Sequence, residues 1–319
     1  MRALLLALAV AAAVVALPAA AGSRIEGVPQ LGPVFVLIGE NTDYQHVDAT
    51  DSPFMMNTLR PRSAWFTNYY AATHWSQANY VALTSGQVTD CEQADGGYEC
   101  RDGVDNIFHQ LEGINRSWRV WLEAGTAKCD TGSGGTCTSD ESCPLTGFYT
   151  TGNPPIDYTD ISYTDCLAND LSAGDDADGM STFNAALARG DVADFNMVIP
   201  NGCDDGEANC KPLNDKHRQF DAFLAREIPL IEASPAFGRN GVIVVTYDED
   251  QRMGGLAAKN ALGSGGHTIC FVLSPLAVPG DYSAKTYSYS VLRTLQDGLG
   301  LAPYLGDAAS VGPLPLAWS

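Results

Sequence analysis

The sequence contains few basic residues for its length. Its 319 residues include 18 Lys and Arg against 38 Asp and Glu, so the formal net charge is −20. Nucleic acids and anionic membrane surfaces attract proteins through a positive field, which this chain lacks. We therefore expect no nucleic-acid partner. The overall composition, with 45% hydrophobic and 18% charged residues, is typical of a globular protein.

A long apolar run is found only near the beginning of the chain. Residues 3–21 follow a single basic residue, Arg2, and end in the small residues Ala19 and Ala21. This pattern is typical of a secretory signal peptide and too alanine-rich to favour a membrane span. We predict a signal peptide at residues 1–21, a single domain at 22–319, a secreted or periplasmic location and no stable membrane insertion.

Several motifs of common enzyme classes are missing. No Cys-x-x-Cys pair occurs, which argues against a cysteine-ligated zinc site. No Gly-x-Ser-x-Gly follows a buried strand, so an α/β-hydrolase triad is not expected. Neither a P-loop nor a dinucleotide-binding fingerprint is present.

The nine cysteines of a secreted chain are expected to form disulfides. Cys91 with Cys100 and Cys203 with Cys210 are close in sequence and are predicted to pair locally. Cys270 lies in an apolar run and is predicted to be a buried free thiol. The remaining four leave three possible connectivities; they are Cys129, Cys137, Cys143 and Cys166.

Continuous apolar runs alternate with helical patterns along the chain. Residues 33–39 form one such run, and similar runs occur at 196–199, 241–247 and 268–274. Runs of this kind are typical of strands buried on both faces of a parallel sheet. Helical patterns occur at 76–85, 105–111, 215–228 and 289–299. The alternation predicts an α/β fold, with residues 90–179 as a cysteine-rich insertion or cap.

Hard oxygen ligands follow two of the predicted strands. Glu40 and Asn41 come after the first strand, and Asp248 and Glu249 come after the third. Ligands of open parallel sheets bind beyond the carboxyl ends of the strands. Carboxylate and amide oxygens suit Ca²⁺, Mg²⁺ or Mn²⁺, and Zn²⁺ is also compatible. The alternative is that these residues only cap helices and solubilise loops.

Ser76 lies at the start of the predicted helix 76–85. Serine at that position is most often an N-cap, and the residues alone favour that role. The alternative is a nucleophile activated by the helix dipole and a metal. Asn79, one turn later, could donate its amide to a phosphoryl oxygen, and His74 is either a phosphate ligand or a buried histidine.

Two further segments have both a functional and a structural interpretation. His267 follows Gly265 and Gly266 and precedes an apolar run, so it is a metal or phosphate ligand or an exposed turn residue. The loop 201–210 is either a second acidic ligand loop, closed by Cys203 and Cys210, or a solvated turn.

Taken in order, these motifs resemble the phosphoesterase family that contains bacterial acid phosphatases and non-specific phospholipases C, within the alkaline-phosphatase superfamily. The resemblance is carried by residues 36–44, 68–80, 106–111, 199–205, 242–249, 266–275 and 289–295. It implies a three-layer α/β/α fold with a mostly parallel central sheet. It also implies hydrolysis of a phosphoric ester.

The resemblance assigns roles to residues of this sequence. It implies a divalent metal ion held by Glu40, Asn41, Asp248 and Glu249. Ser76 takes the place of the hydroxyl nucleophile. We also expect His74 to be a catalytic residue. Asn79 and His267 take the places of the substrate-binding residues.

The sequence departs from the family pattern at two positions. The family often has His-Asn-Pro where this chain has Gly152-Asn153-Pro154, and Asp-x-His where it has Asp205-Gly206-Glu207. We expect a secreted, metal-dependent phosphomonoesterase that acts on a small phosphate ester. The alternatives are a phospholipase C-like phosphodiesterase and a catalytically degenerate binding protein, which the two absent histidines would explain.

Overall fold

The computed structural model describes residues 24–89, 102–123, 152–174, 179–251 and 262–319. Within these ranges the strands are β1 (Val34–Gly39), β2 (Ala64–Tyr70), β3 (Trp118–Leu122), β4 (Asp170–Ser172), β5 (Phe195–Ile199), β6 (Val242–Tyr247), β7 (His267–Leu273), β8 (Gly280–Tyr282) and β9 (Thr286–Tyr287). The α-helices are α1 (Ser76–Ser85), α2 (Ile107–Gly113), α3 (Tyr163–Asn169), α4 (Ser181–Arg189), α5 (Lys216–Ala233) and α6 (Ser288–Leu299).

The strands form one sheet in the order β4-β3-β5-β1-β6-β7-β2-β8, with β9 also paired to β2. Strand β7 runs antiparallel to both of its neighbours, β6 and β2. The other pairings are parallel. The predicted mostly parallel sheet is therefore confirmed, and the carboxyl ends of β1, β5 and β6 meet at one edge.

Successive residues of β1 pack on opposite faces of the sheet, as the period of a strand requires. Val34, Val36 and Ile38 belong to an apolar cluster with residues of α1, α2 and α6. Phe35 and Leu37 belong to a second cluster with residues of α4 and α5. Helices thus cover both faces, and the three-layer α/β/α architecture is confirmed.

Part of the cysteine-rich segment is integral to this sheet. Strands β3 and β4 both lie within residues 90–179 and pair with each other, and β3 also pairs with β5. The description of that segment as an insertion or cap, and the domain limits 22–319, remain predictions.

The cysteine predictions that fall on described residues agree with the structure. Cys203 and Cys210 form a disulfide, and Cys270 is free and buried. Burial raises the pKa of the Cys270 thiol. Cys166 is also disulfide-bonded. The predictions for the signal peptide and for Cys91, Cys100, Cys129, Cys137 and Cys143 lie outside the described residues. In the described part of the chain, no helix has both the length and the apolar character needed to cross a bilayer.

Candidate active site

The centre of the site lies where β1 and β6 end side by side. Gly39 and Tyr247 are paired as the last residues of these strands, so Glu40 and Asp248 emerge at the same edge of the sheet. The backbone N–H of Asp248 donates to the Gly39 carbonyl at 2.9 Å. The backbone N–H of Asn41 donates to Asp248 Oδ1 at 3.0 Å. The structure therefore brings Glu40, Asn41 and Asp248 together.

Asn41 turns the chain sharply as it leaves β1. Its φ of 44° lies in the left-handed region, which asparagine tolerates better than most residues. The side-chain Nδ2 donates to Glu207 Oε2 at 2.8 Å. This bond fixes the nitrogen end of the amide on Glu207, so the oxygen end faces away from that carboxylate.

Two hydroxyl groups from α1 converge on the carboxylate of Glu40. Ser76 Oγ donates to Glu40 Oε2 at 2.8 Å, and Tyr80 OH donates to Glu40 Oε1 at 2.6 Å. Residues four apart lie on the same face of a helix, which explains why both reach Glu40. The N-cap of α1 is Trp75 and has no side-chain capping bond. The interpretation of Ser76 as an N-cap is therefore wrong, because the helix begins at Ser76 and its hydroxyl faces the site.

His74, Asn79 and Glu249 form a connected group beside this centre. His74 Nδ1 lies 3.1 Å from Glu249 Oε2, and its Nε2 lies 3.8 Å from Asp250 Oδ1. Asn79 Nδ2 donates to the Thr73 carbonyl at 2.6 Å and to Glu249 Oε2 at 3.3 Å. The amide of Asn79 thus supports the loop before α1. The roles of Asn79 in phosphate binding and of Glu249 in metal binding remain predictions.

Gly265 and Gly266 allow close backbone approach, as the sequence indicates. A Cβ on Gly265 would lie 2.1 Å from the Thr73 carbonyl oxygen, and one on Gly266 would lie 1.9 Å from Asp250 Oδ2. Gly266 also has a φ of 88°, which disfavours other residues. These two positions therefore need glycine so that Thr73 and Asp250 can sit beside the site.

His267 begins β7 within a stack of aromatic rings. Its ring centroid lies 4.5 Å from that of Tyr44 and 5.1 Å from that of Tyr70. Its Nε2 lies 3.1 Å from the Thr67 carbonyl oxygen. Because a carbonyl only accepts, Nε2 carries the proton in this contact, and Nδ1 is then the acceptor in the neutral ring. The role of His267 as a substrate-binding residue remains a prediction.

Buried carboxylates dominate the electrostatics of the site. Burial raises the pKa of Glu40 well above its usual value, and the nearby charges of Asp248 and Asp205 raise it further. Burial also raises the pKa of Asp205. Burial raises the pKa of Asp248 to about 6, although its hydrogen bonds act in the opposite direction. No Lys or Arg of the described ranges forms an ion pair with any of these three carboxylates.

Three residues that sequence reasoning did not assign to the site lie within it: Tyr80, Asp205 and Glu207. The backbone N–H of Glu40 donates to the Asp205 carbonyl at 2.8 Å, and the backbone N–H of Glu207 donates to Asp205 Oδ1 at 2.8 Å. The acidic character of loop 201–210 was the signal for Asp205 and Glu207. The spacing of Tyr80 from Ser76 was the signal for Tyr80.

Both departures from the family pattern also fall at the site. A Cβ on Gly152 would lie 3.4 Å from Tyr80 OH and 3.1 Å from Ile199 Cγ2. Glu207 accepts the amide of Asn41. Gly152 thus lies next to the Tyr80 hydroxyl that donates to Glu40. Glu207 accepts from the side-chain amide of Asn41, the residue after Glu40.

Another group of possible metal ligands lies on the surface at the start of α2. His109 Nδ1 is 2.8 Å from Asp105 Oδ1 and 3.6 Å from Asp160 Oδ2, and all three residues are exposed. Hydrogen bonding to Asp105 raises the pKa of His109.

The model of the Phosphoesterase family matches residues 42–302. The chain belongs to the Phosphoesterase family. The resemblance of its motifs to that family is therefore confirmed.

Individual relatives are distant. A probable acid phosphatase of Kluyveromyces lactis is 24% identical over 69% of this chain, which spans about half (48%) of that protein. A phosphatidylinositol-3-phosphatase of Mycobacterium tuberculosis is 24% identical over 93% of this chain and 86% of its own length. Among solved structures, a protein in the alkaline phosphatase superfamily from Vibrio parahaemolyticus aligns with a TM-score of 0.59 at 12% identity. That alignment covers 88% of this chain and 69% of the other, and it shows a shared fold.

Proposed function

We propose that this chain is a metal-dependent phosphomonoesterase, with Ser76 as its nucleophile and a divalent cation held by Glu40, Asn41 and Asp248. The observation that carries the proposal is the hydrogen bond from Ser76 Oγ to Glu40 Oε2 within a cluster of buried carboxylates. A hydroxyl at the N-terminus of a helix, beside hard oxygen ligands, is the arrangement that nucleophilic phosphoryl transfer needs.

The donor set fits a divalent cation. Two carboxylates and an amide oxygen are ligands that hard cations prefer. Asp248 Oδ2 is buried and has no hydrogen-bond partner among the described residues. Like charges buried together disfavour their ionised forms, and a dication at this point would compensate both Glu40 and Asp248. Asn41 supports the same geometry because Glu207 holds its nitrogen end.

Each residue contributes a definite step to the proposed reaction. A divalent cation held by Glu40, Asn41 and Asp248 would compensate the charge of the two carboxylates, favour ionisation of the Ser76 hydroxyl and stabilise negative charge on the phosphoryl group. Ser76 Oγ attacks phosphorus, and Glu40 Oε2 is the acceptor to which its proton points. The bond from phosphorus to the ester oxygen breaks, and that oxygen takes up the proton that Ser76 gave to Glu40, so the leaving group departs as the alcohol. Water then cleaves the phosphoserine, which releases phosphate and restores Ser76.

The α1 terminus and its neighbours assist these steps. The positive end of the α1 dipole stabilises negative charge on Ser76 Oγ. His74, paired with Glu249, and Asn79, which holds the Thr73 loop, keep the nucleophile in position. We assign a phosphoryl-oxygen contact to Asn79, and we assign to His267 a contact in which its Nδ1 would accept from a protonated phosphoryl oxygen.

The names of the relatives support a monoesterase over a diesterase, since both are phosphatases. The Cys203–Cys210 disulfide and the predicted signal peptide support a secreted or periplasmic location.

Hydrolysis of p-nitrophenyl phosphate by the purified protein, with and without a chelator, tests the proposal. We expect turnover that the chelator abolishes and that Ca²⁺, Mg²⁺, Mn²⁺ or Zn²⁺ restores. Bis-p-nitrophenyl phosphate run in parallel should be cleaved more slowly, and faster cleavage of the diester would favour the phospholipase C-like alternative. No turnover with any of the four metals would support the degenerate binding protein.

A further inference from the structure

A small, partly open cavity is lined in part by Asp248. Its volume is about 10 Å³, which is about the space that one water molecule needs. Side chains of the strands, of α1 and of α6 line it. Its polar lining residues are Asn79, Thr246, Asp248, Ser288 and the three tyrosines Tyr69, Tyr80 and Tyr247. A cavity of this size with polar walls favours a hydrogen-bonded ligand over an apolar one.

Three of the lining residues present buried oxygens without a hydrogen-bond partner among the described residues, and these are Tyr247 OH, Asp248 Oδ2 and Ser288 Oγ. Ser288 is 6% exposed and Asp248 is 7% exposed. Buried hydroxyls and carboxylates in native proteins are almost always hydrogen-bonded to protein or to ordered water. Three such groups around one water-sized space, Tyr247 OH among them, therefore point to a shared ligand.

We propose that this cavity is a binding site for one ordered water molecule that links Ser288 Oγ to Asp248 Oδ2, and that Ser288 is thereby a positioning residue for the metal-binding carboxylate. The water accepts a hydrogen bond from the Ser288 hydroxyl and donates a hydrogen bond to Asp248 Oδ2. A carboxylate oxygen has two acceptor lobes, so the same oxygen can also face a metal ion. The inference rests on the proposed function, because its consequence is the orientation of a metal ligand.

Because of the position of Ser288 in the fold, the bridging water would join Asp248 to the N-terminus of a helix. Ser288 is the first residue of α6, a helix of 12 residues, and the positive end of a helix dipole favours an ionised carboxylate nearby. The water would thus connect the N-terminus of α6 to the metal site, as α1 is connected through Ser76.

Substitutions at Ser288 separate this role from packing alone. Ser288→Val fills the cavity and removes the hydroxyl, and Ser288→Ala removes only the hydroxyl. Thr286→Val is the matched control, because Thr286 Oγ1 is also buried without a partner but Thr286 does not line the cavity. Circular dichroism first establishes that each variant is folded, and Ser288→Ala carries the test if Ser288→Val does not fold.

Calorimetric titration with Mn²⁺ measures the effect without relying on catalysis. Partners of metal ligands typically contribute 10-fold to 100-fold to affinity, so we expect Ser288→Val to weaken Mn²⁺ binding by roughly tenfold or more. Ser288→Ala should weaken it less, and Thr286→Val should bind as the wild type does. Equal Kd values for all four proteins would overturn the inference.

A crystal structure at high resolution tests the bridging water separately from the proposed metal binding. Electron density for a water between Ser288 Oγ and Asp248 Oδ2 is expected in the wild type and not in Ser288→Val. A direct bond between Ser288 and Asp248, or an ion in the cavity, would overturn the inference even if Mn²⁺ binds. Failure of the wild type to bind Mn²⁺ or any other divalent metal would instead refute the proposed function.

Discussion

Trp75, the residue before the proposed nucleophile, has a strained backbone conformation. It precedes Ser76 with φ 82° and ψ 119°, and its side chain is 40% exposed. Side chains with a Cβ disfavour positive φ, at a cost of about 1–3 kcal/mol. The carbonyl of Trp75 accepts from Asn79 Nδ2 at 3.3 Å, so the first turn of α1 holds the strained residue in place. With Trp75 in this conformation, the Ser76 side chain faces Glu40, and α1 has no side-chain N-cap.

Replacement of Trp75 by glycine should stabilise the fold. Glycine adopts positive φ freely, and after the entropy that glycine adds to the unfolded chain we expect a gain of about 1 kcal/mol. Urea unfolding of Trp75→Gly and Trp75→Ala measures the effect. Alanine keeps the Cβ, so it should give no such gain. Equal stabilities of the two variants would mean that strain at this position is not the cause.

At the scale of elements, apolar patterning located the strands at the centre of the sheet. β1, β5, β6 and β7 coincide with the predicted runs because each is buried on both faces, which leaves a continuous hydrophobic signal. β2 carries the half-buried Thr67 and Asn68, and β3 carries Arg119, so neither shows such a run. The antiparallel direction of β7 depends on long-range pairing and has no local signal.

The same distinction explains which site residues could be predicted. Glu40, Asn41 and Asp248 follow strands that the sequence reveals, and sheet geometry brings them together. Asp205 and Glu207 lie in a loop whose path depends on the Cys203–Cys210 disulfide and on contacts with Glu40 and Asn41. Composition alone could not separate that path from a solvated turn.

The β5–α5 connection should contribute to metal binding through Glu207. Glu207→Ala and Glu207→Gln both remove a negative charge, but only glutamine keeps an oxygen that can accept from Asn41 Nδ2. We therefore expect the alanine variant to bind the metal more weakly than the glutamine variant, by roughly tenfold. Calorimetric titration of both variants checks this. The same Kd for both would show that the bond to Asn41 is unimportant and that charge alone matters.

At the scale of the whole molecule, a net charge of −20 is combined with carboxylates buried at one edge of the sheet. A dication at that edge would invert the local field, which an anionic phosphate ester requires. Without the dication, burial makes the ionised carboxylates unfavourable in the folded state. The stability of the metal-free protein should therefore depend on pH in a definite direction.

Asp248 sets the range of pH for this effect. Its pKa is raised from 3.8 to about 6 by burial, so the folded state binds a proton more tightly than the unfolded state does. The stability from this group is complete below about pH 4 and is lost as the pH rises through about 6. In the presence of a chelator, the Asp248→Asn variant should therefore gain stability relative to the wild type as the pH rises through this range. Thermal unfolding at several pH values measures the difference, and a difference independent of pH would contradict the assignment.

The central claim is that Ser76 forms a covalent phosphoryl intermediate, and acid-quenched mass spectrometry tests it most directly. The metal-loaded protein is mixed with p-nitrophenyl phosphate, quenched in acid, digested and mapped, with Ser76→Ala and Ser85→Ala treated in the same way. Ser85 lies at the opposite end of α1 and bonds to the Val81 carbonyl, so its variant controls for loss of a helix hydroxyl. We expect one phosphoryl group on the peptide containing Ser76 in the wild type and in Ser85→Ala, and none in Ser76→Ala. Phosphate release by Ser76→Ala at the wild-type rate, or phosphorylation of another residue in the wild type, would contradict the account.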